Sequence, residues 1–138
     1  MRVAQQLYEN GFITYMRTDS THHSNAAVKG SWDIISKLFG NDYLPKSPNN
    51  YETNVKNAQE AHEAIRPAHR IFKSISEVEN IINKEAANLY ELIWKRTIAS
   101  QMKPAKLKQT SITFTYQKAV FRANGQVIVF PGYMRAYV

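Results

Sequence analysis

The run Gly11-Phe12-Ile13-Thr14-Tyr15-Met16-Arg17-Thr18-Asp19-Ser20 lies between a helical stretch and a polar turn, and its reading governs the first half of the chain. In an extended segment residues i and i+2 project to one face, so Tyr15 and Arg17 would stand side by side. Three small oxygen-bearing side chains, Thr18, Asp19 and Ser20, follow. An ordinary phenol, with a pKa of about 10, is a poor nucleophile at neutral pH, and a neighbouring cation favours its phenolate form. A guanidinium can also hold a phosphodiester through two parallel hydrogen bonds. The pattern suits attack on phosphate. On the chemistry alone the plainer reading is favoured, an edge strand with a surface tyrosine and arginine before a turn, because short motifs recur by chance.

Upstream, residues 2–10 read as a helix. Val3 and Leu7 are four apart with Ala4 and Tyr8 alongside, and Gly11 is a natural left-handed stop. Gln5 and Glu9, also four apart, share another face. The chain then enters a short strand, 12–16, that carries Tyr15. Downstream, 20–25 is a polar turn with Ser24 as candidate N-cap. His22 and His23 are adjacent, so their side chains diverge, and no third ligand follows at metal spacing; both read as surface or phosphate-neighbouring residues. Val28, Trp32, Ile35 and Phe39 form one stripe of a helix over 26–39, stopped by Gly40. The proline- and asparagine-rich 42–56 reads as a loop, and 57–65 as a short helix ended before Pro67. On that helix His62 and Arg66 would face one phosphate. Ser76 and Glu79 have capping-box spacing and would open a long helix over 77–101. After Pro104 the grammar changes to strands: 111–116 alternates strictly, and Asn124-Gly125 between apolar runs predicts the hairpin turn.

The decapeptide resembles the active-site signature of type IA DNA topoisomerases, and Met16 resembles the bacterial topoisomerase I branch, where the topoisomerase III branch more usually has proline. A second block, N-A-Q-E-A-H-E-A-I-R-P over 57–67, resembles that family's second signature. The likeness continues through L-Y-E-L-I-W-K-R-T-I-A-S-Q-M over 89–102 and F-R-A-N-G-Q-V-I-V-F-P-G-Y over 121–133, so it covers nearly the whole chain. It implies a mainly α fold with a C-terminal β segment: a helical active-site-tyrosine domain over 1–107, and over 108–138 the incomplete start of a β-rich arch domain.

The implied activity is cleavage and rejoining of single-stranded DNA through a 5′-phosphotyrosyl intermediate, without a nucleotide, relaxing negative supercoils in the full enzyme. By resemblance Tyr15 is the nucleophile, Arg17 stabilises the phosphate charge, and His62 positions or neutralises a neighbouring phosphate. Gln5, Glu9, Thr14, Thr18, Asp19 and Arg66 are the implied DNA-binding and loop-orienting residues, with Glu63 a weaker candidate. For Gln5 a solvated helix face explains the residue as well. The family's Mg²⁺ is held by an Asp-x-Asp-x-Glu cluster on a separate domain, and no such string occurs here. The expectation is a fragment that carries the nucleophile, holds no metal, and turns over poorly or not at all alone.

Composition bounds these readings. The chain has 138 residues, 43% hydrophobic and 21% charged, enough for one domain with a core and part of a second. With no cysteine there is no disulfide framework and no thiolate site. No apolar run approaches the roughly 18 residues of a membrane span, and no leader is apparent at Met1; the expected location is the cytoplasm, and the resemblance implies the nucleoid. The net charge is +7, and beyond Glu91 there are eight bases and no acid. That imbalance fits a polyanionic partner, nucleic acid first. Two other classes compete. One is a non-enzymatic single-stranded nucleic-acid-binding module in which Tyr15 stacks. The other is a tyrosine recombinase or relaxase piece, which would show an Arg-His-Arg set before its tyrosine or a histidine cluster on metal; neither order appears. Lacking a covering partner, the β segment is expected to self-associate or be disordered.

Overall fold

The computed structural model describes residues 1–51 and 63–138. Helix α1 (Arg2–Glu9) ends as Gly11 takes φ 75°, a left-handed conformation that a Cβ would strain. The reversal there brings the amide of Gly11 to the carbonyl of Tyr8 and that of Phe12 to Leu7. Helix α2 (Asn25–Leu38) is capped as expected, with Ser24 accepting from the amide of Ala27. Ile35 is its most deeply buried apolar residue. At Gly30 the helix passes so close to the backbone of Arg70 that a Cβ would run into its carbonyl oxygen. The expected loop after Gly40 begins with a short 3₁₀ turn, Asn41–Tyr43, which buries Tyr43.

The long helix expected over 77–101 is two helices. The capping box is formed by Ser74 and Glu77, two residues upstream of the expected pair, and opens α3 (Ile75–Ile81). Asn83 then caps a fresh start, its side chain accepting from the amide of Ala86, and α4 (Lys84–Ser100) follows. An N-capping asparagine competes with helix continuation, which explains the break. Helix α4 packs on α1 and α3 on α4, and the three share a core with Leu7, Phe12, Ile13, Val78, Ala86, Ala87 and Tyr90. Tyr90 donates its hydroxyl to the carbonyl of Lys73 at 2.7 Å, and burial, with the nearby Glu77 charge, pushes its pKa well up. A second cluster joins Ile35, Tyr43, Ile98 and Met102.

Strands β1 (Lys106–Tyr116) and β2 (Ala119–Phe130) form one long antiparallel ribbon. Its turn is at Gln117-Lys118, with Gln117 at φ 54°, and not at Asn124-Gly125. Asn124 and Gly125 lie mid-strand opposite Ser111 and Thr110. The observed register pairs the ladder from Lys106 to Tyr116 with Phe130 back to Ala119 and so satisfies backbone groups along both strands. It also sorts the faces. Ile112, Phe114 and Tyr116 share one face with Phe121, while Gln109 meets Gln126, and Ser111 donates to Asn124, on the other. The ribbon is exposed nearly throughout; Phe114 is 56% and Phe121 60% exposed.

The chain comes back from the ribbon. Phe130 lies 4.9 Å from the ring of Tyr43, the amide of Tyr133 donates to the carbonyl of Lys103, and α5 (Met134–Tyr137) packs on α4. Residues 130–138 therefore belong to the helical body's packing, and among the described residues it is the ribbon that stands away from it. The architecture is mainly α with a C-terminal β segment. Among the described residues no helix is long and apolar enough to cross a membrane.

Candidate active site around Tyr15

The stretch holding Tyr15 is not a strand. Among the described residues its regular pairing is one antiparallel bridge, Ile13 opposite Pro67, and that bridge joins the two signature blocks. The amide of Ala68 donates to the carbonyl of Phe12 at 2.8 Å and the amide of Thr14 to that of Arg66 at 3.0 Å. The Thr14 hydroxyl donates to the carbonyl of Ala64 at 2.7 Å and accepts from the amide of Arg66 at 3.0 Å. Phe12 and Ile13 are sunk in the core. The apolar pair thus anchors the stretch, Thr14 ties it sideways, and from Tyr15 onward the chain runs without regular structure over the surface.

Tyr15 is 50% exposed. Its ring meets that of Tyr8 edge to face, centroids 5.1 Å apart at 70°. The guanidinium of Arg17 is held by Asp19, Nε to Oδ2 at 2.8 Å. The expected side-by-side display of Tyr15 and Arg17 on a strand face is therefore replaced by two separate supports, Tyr8 for the phenol and Asp19 for the cation. Gln5 donates to Glu9 at 2.9 Å on the exposed face of α1. Thr18 is exposed and, with Ser20, His23, Tyr51, Arg96 and Tyr133, borders a cleft of about 890 Å³.

Arg66 departs most from the sequence reading. It is buried, and its side chain is spent internally: Nη2 donates to both Glu63 oxygens, at 3.2 and 2.9 Å, and to Ser24 Oγ, and Nη1 donates to the carbonyls of Pro67 and His69. The described end of the expected helix, 63–65, is not helical, so spacing of four does not turn Arg66 toward a phosphate. His62, and the rest of the expected helix over 57–62, lie outside the described residues. Burial alone would raise the Glu63 pKa, but hydrogen bonds from Ser24 and the charge of Arg66 outweigh it and hold the carboxyl below its usual value. His23 sits beside this pair; burial, then the Arg66 charge, lowers its pKa and favours the neutral imidazole.

Sequence reasoning passed over two contributors. Tyr8 was legible as a helix residue three after Gln5, but its contact with Tyr15 depends on the reversal at Gly11. Ser24 was legible as a cap, and its second role, accepting from Arg66, has no local signal. The acids here are committed: Glu9 to Gln5, Asp19 to Arg17, Glu63 to Arg66. Among the described residues no three of His, Cys, Asp and Glu gather. Each already paired, these acids do not make a Mg²⁺ ligand set among the described residues.

The site is thus an exposed tyrosine, anchored by a buried apolar pair and tied to residues 64–68, on a helical body that carries an exposed ribbon. A sequence profile described as DNA topoisomerase matches residues 1–138, and the chain belongs to that family. DNA topoisomerase 1 of Synechocystis sp. is 52% identical over 138 residues, covering all of this chain and 15% of the relative. DNA topoisomerase 1 of Mycolicibacterium smegmatis is 46% identical over 143 residues, with 100% and 15% covered. The solved structure of full-length topoisomerase I from Thermotoga maritima matches with a TM-score of 0.79 at 37% identity, over 99% of this chain and 22% of that one. The chain spans 15% of the length of both curated relatives.

Proposed function

We propose that this chain is the tyrosine-bearing segment of a type IA DNA topoisomerase and that Tyr15 cleaves single-stranded DNA. The observation that carries the reading is the exposed Tyr15 at the end of the Thr14–Arg66 tie, within a chain of the DNA topoisomerase family. The Tyr15 oxygen attacks the phosphorus, a phosphotyrosyl bond to the 5′ side forms, and the bond to the 3′ oxygen breaks. The phenol gives up its proton and the departing 3′ oxygen gains one. Reversal by the 3′ hydroxyl reseals the strand, and the ester conserves the bond energy, so no nucleotide is consumed. Arg17, steadied by Asp19, stabilises the charge that develops on the phosphate. Gln5, Glu9 and Thr18, all exposed, contact the strand; Thr14, Glu63 and Arg66 hold the loop. His62 positions a neighbouring phosphate. Mg²⁺ is held by acids of a longer polypeptide outside this chain. Such an enzyme acts on the chromosome, in the cytoplasm.

The projecting ribbon is the crossing into an adjoining β-rich domain, which covers the face of Ile112, Phe114 and Phe121. The reading is tested in the longer polypeptide carrying this chain, with Mg²⁺ and labelled single-stranded DNA. A denaturant-resistant adduct forms in the native sequence and disappears in Tyr15→Phe. Arg17→Ala lowers its yield sharply with the fold unchanged. A module that merely stacks on bases would keep its full binding in Tyr15→Phe and give no adduct at all.

A further inference from the structure

Beyond Thr14, the ring that meets Tyr15 is Tyr8, and the pairing is built by local geometry. Gln5, Tyr8 and Glu9 are three and four apart on α1 and share a face. Gly11 at φ 75° reverses the chain just past that face, and the fixed core positions of Phe12 and Ile13 then set the distance at which Tyr15 comes back over it. The result is the edge-to-face pair at 5.1 Å and 70°, within the favoured range for aromatic pairs. Tyr8 is itself 41% exposed. An aromatic residue left that open, on a short helix that meets the core through Leu7 and Val3, adds little to the core; what it covers is one side of the Tyr15 ring.

We propose that Tyr8 is a positioning residue for Tyr15: its ring is the platform that limits the rotamers of Tyr15 and keeps the phenol oxygen aimed outward, toward the strand to be cleaved. The proposal rests on the reading of Tyr15 as the nucleophile. Ring contact is the operative element, so the Tyr8 hydroxyl is dispensable. An aromatic pair of this kind is worth a roughly threefold to tenfold change in the population of the attacking rotamer. The effect falls on the chemical step and leaves strand binding alone, because the strand gains its affinity from phosphate contacts elsewhere.

The experiment uses the longer polypeptide with a labelled single-stranded oligonucleotide, and compares Tyr8→Phe with Tyr8→Ala. Expected are a single-turnover cleavage rate roughly threefold to tenfold lower in Tyr8→Ala, an oligonucleotide Kd unchanged in both, and a rate near the native one in Tyr8→Phe. A second readout needs no catalysis: in the longer polypeptide the ring-proton resonances of Tyr15 carry the ring-current shift of Tyr8, absent in Tyr8→Ala and kept in Tyr8→Phe. The proposal is overturned by a native cleavage rate in Tyr8→Ala, by a loss in Tyr8→Phe as large as in Tyr8→Ala, or by unmoved Tyr15 resonances. If instead the native polypeptide yields an adduct that survives Tyr15→Phe, the nucleophile reading fails, and the proposal falls with it.

Discussion

Thr14 and Arg66, 52 residues apart, hold each other at two points: the amide of Thr14 donates to the carbonyl of Arg66, and the amide of Arg66 donates to the hydroxyl of Thr14, both at 3.0 Å. The residue next to Tyr15 is thereby fixed by a block that lies far along the sequence. Thr14→Val keeps shape and removes the hydroxyl, leaving the Arg66 amide and the Ala64 carbonyl without that partner. The expected cost is about 1–3 kcal/mol of stability, read in a chemical denaturation curve, together with a slower cleavage step. A variant as stable as the native chain would mean the lacing is incidental.

The Glu63–Arg66 pair gives the fold an acid limit. Glu63 has a folded pKa below its unfolded value near 4.5, so its contribution is fully present above that value and is lost as the pH falls through the lower folded one. His23, also lowered from 6.5, adds in the same direction: below pH 6.5 the unfolded chain gains a proton that the folded chain resists. Stability is therefore expected to decline below about pH 6.5 and more steeply below about 4.5. Glu63→Gln should cost about 3 kcal/mol at neutral pH, because it removes the carboxylate paired with a buried guanidinium, and should flatten the steeper, lower part of the profile. An unchanged acid limb in Glu63→Gln would assign it to other groups.

Basicity in the C-terminal third predicts how single-stranded DNA is held. Lys106 and Lys108 stand exposed at the root of the ribbon with Lys103 just before it, whereas Lys29 and Lys37 lie on α2. Binding should weaken steeply with salt, and each phosphate that a lysine neutralises should add about 0.7 to the slope. Removing the charges of Lys103, Lys106 and Lys108 should flatten that slope more than removing those of Lys29 and Lys37. Equal effects would make the charge imbalance incidental.

The ribbon's apolar face and its free edges predict association of this 138-residue chain when taken alone. Two strands without a cover pair readily with other strands. Light scattering should show concentration-dependent self-association, and Phe114→Lys with Phe121→Lys should abolish it. A monomer at all concentrations would show that the ribbon is sufficient by itself.

Much of this was legible from local signals. The α1 stripe, the Gly11 stop and the Ser24 cap are each written within a few residues, and they appear where expected. Signals that compete were misread: Ser76 and Glu79 have the right spacing, but Ser74 and Glu77 make the box, and Asn83 breaks the helix that periodicity would carry to residue 101. The Asn124-Gly125 turn gave way to a register set by the whole length of both strands, which no dipeptide encodes. In the candidate site, residue types pointed to Tyr15 and Arg17 as the chemistry-bearing pair to place, while the supports of each, Tyr8 and Asp19, and the inward turn of Arg66 arise from contacts made by folding.

The most direct test of the central claim uses a feature of the sequence itself: cleavage after Arg2 and Arg17 releases one peptide, 3–17, that contains both Tyr8 and Tyr15. The covalent adduct of the longer polypeptide with single-stranded DNA is trimmed with nuclease, digested with trypsin, and the peptide fragmented in a mass spectrometer. The account requires the nucleotide phosphate on Tyr15 and an unmodified Tyr8. A phosphate on Tyr8, or on any peptide other than this one, would contradict it.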